Sequence, residues 1–423
     1  MKSLIELLVI VLPFFSTAFG LFATTVSSVP SSWIYVGNEK EVVVDPETGR
    51  EIIYLSSGEF VDTQFHYHGE TWGVINHRTW LFFSSSRPRP DVAGGTVSGE
   101  RQIMAADIMT GNLYYLTTVF NDGLSNISHF GTRPYYATYN DKLKVIVFFD
   151  KSRSQIFGYN CLTGVLKKML TLPEGATSRE LDDCFDGTTL RLIYPYTIPA
   201  DGGMVGYISV SDFDCDLTHI STRIVKSCSA DEALNHVEIR PDDINLFFYK
   251  HHSEKKADGQ YSKGNVYIKN LENDDSSDIV VNSENELMDH MIWGHSGDYI
   301  YWDDQAGSLM RFDYKKQKIE KTGSTYTLHN YLSSDEKFWV YDLRGSEIDS
   351  TIRISNVKIT NRPGSIWIYN MKTGHSEKYA NITWGDPHPR HPHAVFSFDD
   401  NMISFVTGAE DGNSRVAIMW MKK

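Results

Sequence analysis

Residues 368–380 read IYNMKTGHSEKYA, and residues 394–406 read AVFSFDDNMISFV. Each stretch is a pair of short alternating runs, rich in aromatic and β-branched residues, folded about a polar tip. That pattern marks a β-hairpin. Working outward, both hairpins recur. Partners of the first, with Thr-Gly or polar tips, are VVVDPETGREIIYL (42–55), AADIMTGNLYYLT (105–117), GYNCLTGVLKKML (158–170), VSDFDCDLTHIST (210–222), IKNLENDDSSDIV (268–280) and RFDYKKQKIEKTG (311–323). Partners of the second are HGETWGVINHRTWLFFS (68–84), YYATYNDKLKVIVFFD (135–150), DDCFDGTTLRLIYPY (182–196), VEIRPDDINLFFYK (237–250), MIWGHSGDYIYWD (291–303) and YLSSDEKFWVYD (331–342).

Each class has seven members and the two alternate, giving four strands in about every 55 residues. A four-stranded unit that buries its faces only against copies of itself predicts an all-β, seven-bladed β-propeller. A sandwich or barrel has no need of a sevenfold count of paired hairpins. After the last hairpin only SRVAIMWM (414–421) remains, so a complete last blade needs an N-terminal strand. GREIIYLS (49–56) is the natural donor, and the clasp removes an open edge.

The 423 residues are 41% hydrophobic and 13% aromatic, enough for a sizeable core, and carry a formal net charge of −14. That balance excludes nucleic acid as the expected partner, because nothing neutralises phosphates. Residues 1–20 read as a signal peptide, with Lys2, an apolar run from Leu4 to Phe15 and small residues at Ala18 and Gly20. The apolar run, about 12 residues, is short against the roughly 20 of a membrane span. The expected organisation is a signal at 1–20, a lead-in at 21–40 and one propeller domain at 41–423, secreted, monomeric and off the membrane after cleavage. Cys161, Cys184, Cys215 and Cys228 allow two disulfides in an exported chain, and Asn126 and Asn381 begin glycosylation sequons.

Histidines gather at the starts of the inner strands: His66 and His68 in blade one, His129 in blade two, His236 in four, His290 in five, His329 in six, and His388, His391 and His393 in seven. Blade three offers Arg179 and Asp182. In a propeller these starts surround one mouth of the central channel, so residues far apart in sequence face one another. A single histidine at a strand start more often serves a turn or a hydrogen bond, and His219, His251, His252, His295 and His375 read that way. In His391-Pro392-His393 the imidazoles two apart point to the same side, with proline stiffening the link. An imidazole cage suits zinc, manganese, nickel or iron rather than calcium or magnesium. Asp289 and Asp386 are placed to orient imidazoles.

NHVEIRPDD (235–243), DHMIWGHSGDYIYW (289–302), HNYLSSDEKFWVYD (329–342), IYNMKTGH (368–375) and HPHAVFSFDD (391–400) resemble, in order and spacing, the oligogalacturonate lyases of polysaccharide lyase family 22. The likeness is clearest over residues 234–410; the first half matches only in blade rhythm. The resemblance implies a manganese ion on His290, His391 and His393, with His388 where the family has glutamine. That fourth imidazole shifts the expectation towards zinc or nickel. It also implies His236 as general base. The family's arginine upstream of that base is missing: Ser211 lies near its place, and no arginine stands between Arg191 and Arg223.

The expected activity is β-elimination on an acidic, uronate-containing oligo- or polysaccharide. A base removes the C5 proton, and a cation on the carboxylate stabilises the charge that gathers. His236 is the base, with Arg240 or Arg179 as the assisting arginine. His329, His66, His68 and His129 are sugar contacts, and His290, His388, His391 and His393 hold the metal. Two other lyase chemistries, on ulvan or on rhamnose–glucuronate linkages, would use pore histidines and arginine without this metal. A non-catalytic glycan-binding propeller is the alternative from another class. A hydrolase would need paired acids on the pore, for which Asp182 and Asp289 are the candidates.

Overall fold

Four of the hairpin tips are one turn built from the same atoms. At Asp45, Asp107, Asn160 and Asn370 the side-chain oxygen accepts the N–H groups two and three residues on, at 2.9 to 3.3 Å. The backbone carbonyl of the same residue accepts from a glycine four residues on, Gly49, Gly111, Gly164 or Gly374, each at a φ between 68° and 78°. An acidic or amide residue closes the turn and glycine takes the left-handed position at its end. The Thr-Gly signature is this geometry read in sequence.

The computed structural model describes residues 29–421 apart from 66–69, 89–101, 117–136, 151, 179, 202, 254–263, 274–277, 282–287, 305–306, 325–326, 328, 346–349, 355–356, 387–389 and 410–411; of residues 289, 350–354, 357–361 and 386 it describes the backbone. The chain is a seven-bladed β-propeller of antiparallel sheets, with no helix long and apolar enough to cross a membrane among the described residues. Blade five shows the plan from channel to rim: Asp289–Trp293, Tyr299–Asp303, Leu309–Asp313 and Lys318–Gly323. The innermost strands of blades four, six and seven are Ala233–Arg240, Asn330–Leu332 and Val395–Phe396.

Among the described residues, seven hydrophobic clusters lie one at each seam between blades. Trp80 and Phe82 meet Tyr139 and Phe148 between blades one and two, Trp302 lies in the four–five seam, and Trp339 in the five–six seam. Each blade thus buries both faces against its neighbours, which is the reason no blade stands alone.

The ring closes as the sequence implies. Glu51–Tyr54 pairs with Ser414–Trp420, Ile53 opposite Ile418 and Tyr54 opposite Ala417. Glu41–Val44 adds a fifth strand outside it. Ile34–Asn38, within the stretch expected as a lead-in, pairs with Asn112–Tyr115 as the outermost strand of blade one. The N-terminal segment thus ties blade seven to blade one. It also reaches blade six, where Asp45 accepts from the Asn381 side chain at 3.1 Å and Lys378 meets Glu47 at 2.9 Å.

Two sequence expectations change here. All four cysteines are free thiols: Cys161 and Cys228 are buried, and Cys184 donates to the Pro241 carbonyl at 3.7 Å. Asn381 is a poor glycan acceptor because its amide is committed to Asp45 and Glu47. The signal stretch and the Asn126 sequon lie outside the described residues.

Candidate metal centre

The channel mouth is shaped by backbone irregularities at the histidines. In blade four the pairing slips between Asn235 and Glu238, and in blade five between Asp289 and Ile292. The first of the two residues inside each slip is a histidine with φ of 49°, His236 and His290. A bulge re-aims a side chain away from the sheet's regular alternation. Left-handed backbone is tolerated by histidine better than by the β-branched residues that strands otherwise favour. His393 shares the conformation, with φ of 43°.

Three imidazoles from two blades converge. One ring nitrogen from each of His329, His391 and His393 lies within 4.8 Å of the other two. The His329 ring centre is 3.9 Å from that of His393 and 5.2 Å from that of His391. His329 and His393 are buried, and His391 is half-buried at the opening. Trp384 stacks on His329 at 5.7 Å and 14°, and also flanks His391. His290 packs against His329 with 4.7 Å between ring centres.

Beneath the rings lie two buried aspartates. Asp342 meets Nδ1 of His329 at 2.9 Å, and Asp303 faces Nδ1 of His290 at 3.5 Å. Asn330 donates to Asp303 at 3.2 Å. A carboxylate behind an imidazole fixes which nitrogen carries the proton and turns the other outward as a donor. The donor set fits a borderline divalent ion such as zinc, nickel or manganese better than calcium or magnesium.

The sequence reading gave His329 to the sugar; the structure puts it among the closest donors, and sets His290 beside it rather than within the tight triad. His290 lies inside the register slip of its strand, whereas His329 stands just before the strand Asn330–Leu332, so the two rings leave the backbone from different settings. His66, His68, His129, Arg179 and His388 fall outside the described residues. Arg240 is not at this mouth. Its guanidinium clamps Asp242 at 2.7 Å in the turn at the far end of the inner strand, and stacks on Tyr314. His219, His251 and His252 have the local partners expected of structural histidines: Thr222, Glu232 and Asn235.

Three residues that the sequence reading passed over matter here. Asp303 and Asp342 look in sequence like ordinary strand-end acids. Arg390 stands directly before His391, half-buried, and desolvation pulls its guanidinium below the usual arginine range. It rests on Gly385, where a Cβ would come within 2.8 Å of the arginine's own. Ser211, near the place of the family's arginine, is fully buried and hydrogen-bonded to Tyr194 and Thr222 at 2.7 Å each.

The inner strands all run the same way, so their other ends form a second mouth. It opens into a cavity of about 290 Å³ lined by Glu70, Asp182, Asp183 and Glu238, with Trp293 and Tyr331 among them. Asp182 accepts the Ile239 N–H at 2.6 Å and Glu238 accepts the Trp293 N–H at 3.0 Å, each reaching the next blade. Burial, followed by mutual repulsion, holds the Asp182 carboxyl well above the carboxylate range; burial does the same to Glu238 and lifts Glu70 to about 7. Asp182, offered as a hydrolase acid, is thus a seam acceptor.

No protein-family model and no curated protein matches the chain. Among solved structures it is similar to an oligogalacturonate lyase in complex with manganese, at 14% identity and a TM-score of 0.69, over 92% of this chain and 98% of that one. An oligogalacturonate lyase from Vibrio parahaemolyticus is similar at 14% identity and a TM-score of 0.67, with the same coverage of both chains. The propeller fold of those structures is the fold of this chain.

Proposed function

We propose that the chain is a secreted, monomeric lyase that cleaves an acidic, uronate-containing oligosaccharide by β-elimination. The observation that carries this reading is the three-imidazole cluster of His329, His391 and His393 at one mouth of a propeller like those of oligogalacturonate lyases. A divalent ion bound there supplies positive charge to the sugar carboxylate. His391 and Arg390 are the half-exposed groups beside it, and Arg390 takes the assisting role that neither Arg240 nor the Ser211 position can fill. His236, presented by a bulge in blade four like the one that presents His290 in blade five, removes the C5 proton. Imidazole is the side chain best suited to take up a proton near neutral pH. The glycosidic oxygen then leaves from C4 and takes a proton. Substrate enters from the imidazole side, where a bound cation and Arg390 would attract a sugar carboxylate.

The test is a panel of oligogalacturonides and other uronides, followed by the ultraviolet absorbance of the conjugated product. Wild type produces the signal, and His236→Ala lowers the rate by about 10²- to 10⁴-fold with metal content unchanged. Absence of signal across the panel, with saturable uronide binding, favours the second reading: a glycan-binding propeller. The buried, hydroxyl-paired Ser211 is the observation on that side.

A further inference from the structure

We infer that Asp342 is the positioning residue of the metal centre, and that a cation on His329, His391 and His393 clasps blade six to blade seven. Asp342 is fully buried. Its carboxylate accepts the backbone N–H of His329 at 3.0 Å, the backbone N–H of His393 at 3.0 Å, and meets the His329 ring at Nδ1. Among the described residues these partners are peptide and imidazole groups, with no lysine or arginine. The two peptide N–H groups hold the carboxylate behind the His329 ring, so an ion on the far side of the imidazole lies in line with its charge.

Three consequences follow from that one carboxylate. A proton on Nδ1 satisfies it, which leaves Nε2 of His329 as the nitrogen able to bind a metal. Trp384 stacked on the ring prevents it from turning away. The N–H of His393, in left-handed backbone, gains an acceptor in place of a ladder partner, so the conformation that aims this second imidazole is held. Asp342 therefore sets two donors that belong to different blades, His329 at the start of blade six and His393 at the start of blade seven. Blade seven is also where the ring closes. An ion bound only by the folded chain stabilises that seam by mass action.

The experiment uses the full chain stripped with a chelator and titrated with manganese and zinc chlorides against a chromophoric chelator, with thermal melts in parallel. It needs no uronide substrate, so its outcome is independent of the lyase reading. Wild type binds one ion, its Tm rises, and amide exchange slows in residues 394–406. Asp342→Asn weakens binding by about 10- to 100-fold and shrinks the Tm rise. His329→Ala, which leaves both peptide N–H groups on Asp342, weakens it similarly. The double variant loses less than the sum of the two, because Asp342 acts partly through the ring that His329→Ala removes. Wild-type affinity in Asp342→Asn, additive losses, or unchanged exchange in 394–406 with metal overturns the proposal. If Asp342→Asn does not fold, His329→Ala decides alone: unaltered affinity there removes the third donor and the clasp with it.

Discussion

His236, His290 and His393 hold φ values of 49°, 49° and 43°. Left-handed backbone costs a residue with a Cβ about 1–2 kcal/mol, yet it recurs where the channel needs an imidazole turned inward. The strain is removable at His236. His236→Gly relieves it and leaves the fold at least as stable, by up to about 1 kcal/mol, while elimination falls as far as in His236→Ala. Chemical denaturation beside the product absorbance reads both. A marked loss of stability in the glycine variant would show that the side chain, rather than the backbone, is what the bulge protects. Histidine at the strand starts was legible in the sequence. The pairing of each ring with its acid was not, because Asp342 stands 13 positions from His329 and 51 from His393.

At the level of the element, the Thr-Gly hairpins look equivalent in sequence but differ in what surrounds the glycine. A Cβ on Gly374 meets nothing closer than the Tyr369 hydroxyl at 3.8 Å, whereas one on Gly164 would lie 2.2 Å from the Ser32 Cβ. Gly374→Ala therefore costs only the left-handed backbone, about 1 kcal/mol. Gly164→Ala adds a clash with the N-terminal segment and costs at least twice as much, seen as the larger fall in thermal midpoint. Equal falls would mean that Ser32 yields freely. The hairpins and the donor of the closing strand were readable because period-two alternation and turn chemistry are local. The fifth strands at Ile34–Asn38 and Glu41–Val44 were less so. Their pairing depends on which edges the finished ring leaves free.

For the whole molecule, the two mouths differ in charge chemistry. The acidic mouth links stability to pH. Glu70 titrates near 4.5 when exposed and near 7 in the folded chain, where Asp182 and Glu238 are also raised. Between those values the folded chain holds protons that the unfolded chain releases, so this contribution is fully present below about pH 4.5 and is lost as pH rises through 7. Glu70→Gln removes one such group. The drop in thermal midpoint from pH 5 to pH 8 should be smaller in the variant than in wild type. An identical drop would place Glu70 in contact with bulk water.

The sequence by itself determined the strand count, the sevenfold repeat, the closing strand and the gathering of histidines at one end of the channel. All of these rest on alternation and turn residues, which act within a few positions. Only the tertiary structure decided that His329 joins His391 and His393, that Arg240 faces the other way, and that Asp342 orders the centre. Those facts depend on the depth of each side chain in the ring, set by bulges and by the seam between adjacent blades. Neither has a signature in the order of residues.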